Sequence, residues 1–282
     1  MYDNLFFKYC RDQKLIFNHF YFIMMNTTQT ATIALAKTVS SKQVIEVNNL
    51  RKGFGNQEVL KDISLQLFDG ENLVVLGKSG SGKSVLIKCI VRLLNIDAGT
   101  INVLGEDVSK LNTDGLGELR KKIGFLFQSG ALYDSMTVKQ NLEFPLRRIK
   151  KSLSHKEIDE KVKDVLENVG LFDALDKMPS QLSGGMRKRI SLARTIIVDP
   201  MIMLYDEPTT GLDPATSDEI SLLINDIQKR YKTSSIIITH DIECARTTAN
   251  RIIILNEGVV YQEGNLEMFE KSTDTLIKSF FI

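Results

Sequence analysis

The chain is short of cysteine, of net charge and of long apolar runs, and each shortage excludes a class of protein. Its three cysteines, Cys10, Cys89 and Cys244, are odd in number, far apart and without histidine neighbours. That spacing excludes a disulfide framework and a Cys/His metal cluster, and favours a reducing compartment. Lys+Arg 36 against Asp+Glu 35 leave a net charge of +1, so the broad positive field of a nucleic-acid binder is absent. The local run Arg147, Arg148, Lys150, Lys151 reads as a solvated face. No apolar run reaches the about 18 residues that a membrane-spanning helix needs. What is there is ordinary globular material: 282 residues, 43% hydrophobic and 25% charged. This composition argues against disorder over most of the length and allows one large or two small domains.

The longest apolar stretch, Leu15 to Met25, is broken by Asn18 and His19. With Lys8, Arg11 and Lys14 ahead and Ala34-Leu35-Ala36 behind, it imitates a secretory leader, but Asp3 and Asp12 spoil the pattern. Translation starting at Met24 or Met25 is the plainer account, and the fold is expected to begin only after about Ser41.

From Val44 the pattern is α/β. Val44-Ile45-Glu46-Val47 alternates as an edge strand does, and Ile63-Ser64-Leu65-Gln66-Leu67 alternates again. Leu73-Val74-Val75-Leu76 is a short apolar run, the mark of a strand covered on both faces, and a glycine-rich turn and the helical segment Val85 to Ile90 follow it. Ile123 to Phe127, Met201 to Leu204 and Ile236 to Ile238 are expected as further central strands. Between the first two, residues 129–195 carry Lys, Glu and Leu at helical spacing and read as a helical insertion. Ile252 to Leu255, then Asn256-Glu257-Gly258, then Val259 to Tyr261 predict a hairpin. His19 and His155 belong to no motif and read as surface residues.

Gly77-Lys78-Ser79-Gly80-Ser81-Gly82-Lys83-Ser84 satisfies the phosphate-loop pattern G-x-x-x-x-G-K-[ST], with a buried strand leading in and a helix beginning at Val85 leading out. Glycines let successive backbone N–H groups turn onto phosphate oxygens. Lys83 adds a charge at the β- and γ-phosphates, and the Ser84 hydroxyl can ligate Mg²⁺. A second apolar run ends in Asp206-Glu207. Asp206 can hold Mg²⁺ through water, and Glu207 is placed to act as general base on the attacking water. Two more motifs choose among nucleotide-binding families: Leu182-Ser183-Gly184-Gly185-Met186 before a basic helix, and Pro208-Thr209-Thr210-Gly211-Leu212-Asp213-Pro214 followed later by Thr239-His240-Asp241.

Taken together these segments resemble the ATP-binding-cassette (ABC) ATPases over about residues 44–270. The resemblance implies an α/β P-loop NTPase of ABC type: a RecA-like mixed-sheet core, an antiparallel β subdomain and an inserted α-helical subdomain. It implies an N-terminal extension at 1–42, a nucleotide-binding domain at 43–271 with the helical subdomain at 129–195, and a tail at 272–282. It implies ATP and Mg²⁺ as cofactors, with the loop from Gly77 to Val85 around the phosphates. Gln128 becomes the glutamine that senses Mg²⁺ and attacking water, Asp213 the D-loop aspartate, His240 the switch histidine, and Phe54 the aromatic stacked on adenine. Ser183, Gly184 and Gly185 become the signature that meets a second γ-phosphate; Met186 stands where the family usually has Gln. One loop and one signature per chain imply a homodimer with two composite sites, and the lack of an apolar span implies separate permease subunits.

Residues 128–147, Gln-Ser-Gly-Ala-Leu-Tyr-Asp-Ser-Met-Thr-Val and then Asn141-Leu142-Glu143-Phe144-Pro145-Leu146-Arg147, are similar to the ATPases of the Mla/MCE phospholipid-transport systems. That resemblance implies an MCE-type lipid-binding partner, no nucleic acid, and a peripheral place on the cytoplasmic face of a bacterial inner membrane. ABC transport of another solute, or a soluble ABC role, stays open at this point. The apolar residues Leu132-Tyr133 and Phe144-Pro145-Leu146 are either local core or a permease-docking surface.

Overall fold

The computed structural model describes residues 42–281. The readings made for the leader-like stretch, the start at Met24 or Met25, Cys10 and His19 lie outside the described residues.

Among the described residues ten strands form one sheet: β1 (Gln43–Phe54), β2 (Gln57–Phe68), β3 (Asn72–Leu76), β4 (Ala98–Val103), β5 (Glu106–Asp107), β6 (Ile123–Leu126), β7 (Ile202–Asp206), β8 (Ser234–Thr239), β9 (Arg251–Asn256) and β10 (Val259–Gly264). Their order is β5-β4-β1-β2-β10-β9-β3-β8-β7-β6. The β5-β4-β1-β2 half is antiparallel, whereas β9, β3, β8, β7 and β6 run parallel. The helices are α1 (Lys83–Ile90), α2 (Thr113–Lys121), α3 (Val138–Ile149), α4 (His155–Asn168), α5 (Gly184–Ile196), α6 (Pro214–Tyr231), α7 (Ile242–Thr248), α8 (Leu266–Glu270) and α9 (Thr275–Phe281). Two 3₁₀ turns, Phe172–Ala174 and Pro179–Gln181, lie between α4 and α5.

The parallel strands are apolar without a break because both faces are covered. On β3, Val74 and Leu76 enter one core cluster with residues of α3 to α7, while Leu73 and Val75 enter another with α1, α2 and the antiparallel strands. Side-chain alternation thus sends each strand's residues into two cores at once. The helical insertion owes its boundaries to local chemistry: Thr137 with Gln140 and Ser154 with Glu157 form capping boxes that start α3 and α4.

Two strand readings need correction. Val44 to Val47 lies in β1, which is bonded on both sides, to β2 and β4. Its alternation reflects one covered face rather than an edge position. Ile123 to Leu126 is not central: β6 ends the sheet order and pairs with β7 alone. It reads as central because Ile123 and Leu126 are buried in the two cores, so both faces are covered although one edge has no strand partner. Within 129–195 the first helix begins at Val138. Beyond residue 271, α9 buries Ile277 in the first core cluster, and Phe281 stacks on Phe269 with ring centroids 6.1 Å apart.

Candidate active site

The carboxyl ends of β3, β7 and β8 point the same way, because the three strands run parallel and in register: Leu76 is opposite Thr239 and Asp206 opposite Ile238. Open α/β sheets place ligands at this edge. Gly77 N donates to Thr239 O at 3.3 Å, fastening the start of the loop to the end of β8. Gly82 has φ 99, a conformation that side chains disfavour, and it introduces α1 without any side-chain cap. The helices α3, α4, α5 and α6 are instead capped by Thr137, Ser154, Ser183 and Asp213. The first amides of α1 are therefore left for an anion.

Lys83 is buried, and its Nζ donates to Gly77 O at 2.6 Å and Lys78 O at 3.1 Å while lying 3.4 Å from Glu207 Oε1. Ser81 Oγ is buried and has no hydrogen-bond partner in the protein. Ser84 Oγ donates to Asp206 Oδ1 at 2.8 Å, so a hydroxyl and a carboxylate converge at the end of β7. This oxygen pair fits Mg²⁺, which is held by few protein ligands and completes its shell with water and phosphate oxygens. Among the described residues no group of three or more His, Cys, Asp and Glu could hold a metal.

Glu207 is buried and left-handed, with φ 51. A non-glycine residue there costs about 1–3 kcal/mol and marks an imposed conformation. Its Oε2 accepts from His240 Nδ1 at 2.8 Å, from Thr210 Oγ1 at 3.2 Å and from His240 N at 3.3 Å. With a carboxylate as partner, His240 carries its proton on Nδ1.

Lys83, Ser84, Glu207, Thr210 and His240 line a cavity of about 440 Å³, together with Ser79, Gly80, Gly82, Val85 and Gln128; Asp206 is joined to it through its bond to Ser84. The remaining expected residues lie elsewhere. Phe54 is half exposed at the end of β1, with Lys52 Nζ 5.3 Å from its ring centroid. Ser183 caps α5; a Cβ on Gly184 would lie 3.5 Å from Leu212 and one on Gly185 2.6 Å from Thr216. Asp213 caps α6 through Thr216, whose hydroxyl and amide hold its carboxyl below the usual range. Signature and D-loop thus adjoin each other, outside the lining of the cavity.

Three contributors were missed from sequence. Thr210 reaches Glu207, as above. Asn141, fully buried, accepts from Tyr133 N and donates to the carbonyls of Tyr133, Met136 and Thr137, so it shapes the turn before α3. Lys188 is a cation on the buried side of α5, level with Ser191 and Leu192; that misplaced charge on an apolar stripe was the available signal. Burial pushes its pKa down, opposed by the carboxylates of Asp206 and Glu207. The apolar residues of 132–146 divide: Leu146 is core, Leu132 packs on the core, and Tyr133 is 40% exposed beneath Arg194.

A family model described as ABC transporter matches residues 60–210. The chain belongs to the ABC transporter family. It carries that family's ATP-hydrolysing cassette, whose cofactors are ATP and Mg²⁺. It is 39% identical over 236 residues to the probable ribonucleotide transport ATP-binding protein mkl of Mycobacterium tuberculosis (strain ATCC 25618 / H37Rv), covering 84% of this chain and 66% of that protein. To the methionine import ATP-binding protein MetN of Brucella melitensis it is 35% identical over 234 residues, covering 83% and 63%. The chain thus spans about two thirds of the length of these relatives. Among solved structures, the dimeric post-hydrolysis state of the cassette MJ0796 bound to ADP and Pi superposes with TM-score 0.72 at 31% identity, covering 79% of this chain and 98% of that one. The cassette cbiO1 from Clostridium perfringens, part of the cbiONQ complex, gives 0.75 at 29% identity, covering 82% and 92%. The ABC fold anticipated from the motifs is the one observed.

Proposed function

We propose that the chain is the ATPase subunit of an ABC transporter, working as a homodimer and driving phospholipid movement between inner and outer membranes through separate permease and MCE-type subunits. What carries the ATPase part is the convergence of Lys83, Ser84, Asp206, Glu207 and His240 on one cavity at the sheet edge. The α1 amides and Lys83 bind the phosphates, and Glu207 accepts the proton of the attacking water as the bond from the γ-phosphorus to the bridging oxygen breaks. His240 and Thr210 hold the Glu207 carboxylate in one orientation. Mg²⁺ at Ser84 and Asp206 supplies charge neutralisation on the phosphate oxygens. Gln128, on the rim, is assigned to orienting the water, and Phe54 to stacking on adenine.

Separation within one chain supports the homodimer implied by the family resemblance. Ser183, Gly184, Gly185 and Asp213 lie outside the cavity lining, so they serve a second copy's loop across a two-fold axis. The MJ0796 cassette, solved as a dimer with ADP and Pi, supports this arrangement. No helix among the described residues is long and apolar enough to cross a membrane, in keeping with a peripheral subunit docked on a permease.

The phospholipid cargo rests on the likeness of residues 128–147 to the Mla/MCE ATPases. Part of that segment borders a surface groove of about 430 Å³ lined by Phe127, Tyr133, Pro145 and Arg194 among others, which we assign to the permease. Methionine import is the second reading, favoured by the match to MetN. Purification of the native complex, mass spectrometry of its proteins and lipids, and reconstitution in vesicles separate the two. An MCE-type subunit and ATP-dependent phospholipid transfer are expected; their absence, with methionine uptake in their place, overturns the lipid reading and leaves the ATPase standing.

A further inference from the structure

Helix α5 carries the signature at its N-terminus, and its body grips the two segments that supply Gln128 and Glu207. Lys188 Nζ donates to Gln128 O at 2.9 Å and contacts Glu207 O at 3.4 Å. One turn on, Ser191 packs so close to Gly130 that a Cβ there would lie 2.5 Å from its Oγ. One turn further, Arg194 donates to Ala131 O, and its guanidinium carbon sits 4.6 Å from the centroid of the Tyr133 ring. The Glu207 carbonyl belongs to the left-handed residue described above, and its other donor at this end of β7, Thr210 N, lies at the same 3.4 Å as Lys188 Nζ but is uncharged. A buried ammonium on that carbonyl is therefore a principal restraint on the backbone that aims the Glu207 carboxylate.

We propose that Lys188 is a positioning residue: by bridging the carbonyls of Gln128 and Glu207 from within α5, it ties the signature end of the helix to both groups that face the attacking water. Seating the signature on a second copy's phosphates then moves Gln128 and Glu207 together, so that hydrolysis waits for dimer closure. This rests on the ATPase reading above.

The test is steady-state ATP hydrolysis and equilibrium ATP binding by the full chain. Lys188→Met keeps the length and apolar stem of the side chain and removes its donors. Its kcat should fall about 10- to 100-fold, the size of a lost charge-assisted hydrogen bond, with ATP affinity within about threefold of wild type. Lys188→Gln restores an NH₂ group with two hydrogens for two carbonyls and should regain at least about threefold of that loss. A Lys188→Met variant with wild-type kcat overturns the proposal. So does a loss in which Met and Gln variants are equally impaired and ATP affinity falls in step with turnover, the mark of simple unfolding. If Lys188→Met does not fold, Lys188→Leu, which also lacks donors, decides in its place: reduced kcat at retained ATP affinity supports the coupling, and unchanged kcat refutes it. A wild-type chain that neither binds nor hydrolyses ATP sinks the ATPase reading itself, a result distinct from either of these.

Discussion

Replacing Glu207 by glutamine keeps the shape of the side chain and removes its charge, and the surrounding contacts state which way the amide must turn. Oε2 accepts three hydrogen bonds, from His240 Nδ1, His240 N and Thr210 Oγ1, and cannot become an NH₂ group without facing donors. The amide nitrogen therefore takes the Oε1 position, 3.4 Å from Lys83 Nζ. The attraction lost there is about 5 kcal/mol gross at an effective dielectric constant of about 20. Lys83 keeps its bonds to Gly77 O and Lys78 O and is no longer shared between a carboxylate and incoming phosphates. ATP affinity should hold or rise. Turnover should not, because a lost general base costs roughly 10²–10⁴ in rate, about 3–5 kcal/mol of barrier. Calorimetric titration with ATP and Mg²⁺, steady-state phosphate release and size-exclusion chromatography measure the three consequences: retained binding, lost hydrolysis and a dimer that persists in ATP. Turnover within tenfold of wild type refutes the assignment of the base. Loss of ATP binding refutes the argument that the charge of Glu207 competes for Lys83.

Asn141→Ala should cost about 1–3 kcal/mol, because it strands the Tyr133 amide and the Met136 carbonyl near the start of α3, while the Tyr133 and Thr137 carbonyls keep backbone donors; denaturant unfolding measures it, and an unchanged midpoint contradicts that role. Glu71 is buried and bound by two Arg251 nitrogens at 2.7 and 2.9 Å, so Glu71→Ala, which leaves the guanidinium only Glu263 and the Gln66 carbonyl, should destabilise the fold by about 1–3 kcal/mol, again read from the unfolding midpoint. Burial raises the thiols of Cys89 and Cys244 from 9.0 to about 11; with Cys10 replaced by serine, the native chain at pH 8 should leave a disulfide reagent unreacted until denaturant is added. The folded state holds these two protons more tightly than the unfolded one, so the stability they contribute is complete below pH 9 and declines as pH rises toward 11, which unfolding curves across that window would register.

The nucleotide loop and its neighbours were legible because each sits where a local pattern changes abruptly. An apolar strand stops at Gly77, another stops at Asp206, a third at His240, and parallel pairing then brings the three ends to one edge. Ser183 and Asp213 were legible as motif residues, and in the structure they are also the caps that start α5 and α6. Strand position was not legible for β1 and β6. Alternation reports how many faces of a strand are covered, and it is silent about how many neighbours bond its edges. Lys188, Thr210 and Asn141 escaped for a related reason: each acts on a backbone group or a side chain brought close only by folding, and even the misplaced charge of Lys188 on an apolar stripe does not name its partner.

Cargo is a different kind of unknown, and the geometry explains why. The groups proposed to meet ATP are the α1 amides, the Lys83 ammonium, the Ser84 hydroxyl and the carboxylates of Asp206 and Glu207, a set dictated by phosphate chemistry and indifferent to what is carried. Only surfaces with no part in that chemistry are free to differ between transporters. The turn at 131–137 is such a surface. Asn141 holds its backbone, Arg194 clamps Ala131 O and covers Tyr133, and Tyr133 meets the Phe144 ring edge-on at 5.2 Å while staying 40% exposed. A half-exposed aromatic held this firmly has already lost its rotamer freedom, so burying it against a permease segment releases water at little further entropic cost. Lys188 reaches Gln128 from the same helix, α5, that carries Arg194. In the proposed arrangement a permease segment seated on Tyr133 would press on the helix whose Lys188 holds the Gln128 and Glu207 carbonyls, and that shared helix would give cargo-side docking a mechanical route to the hydrolytic groups.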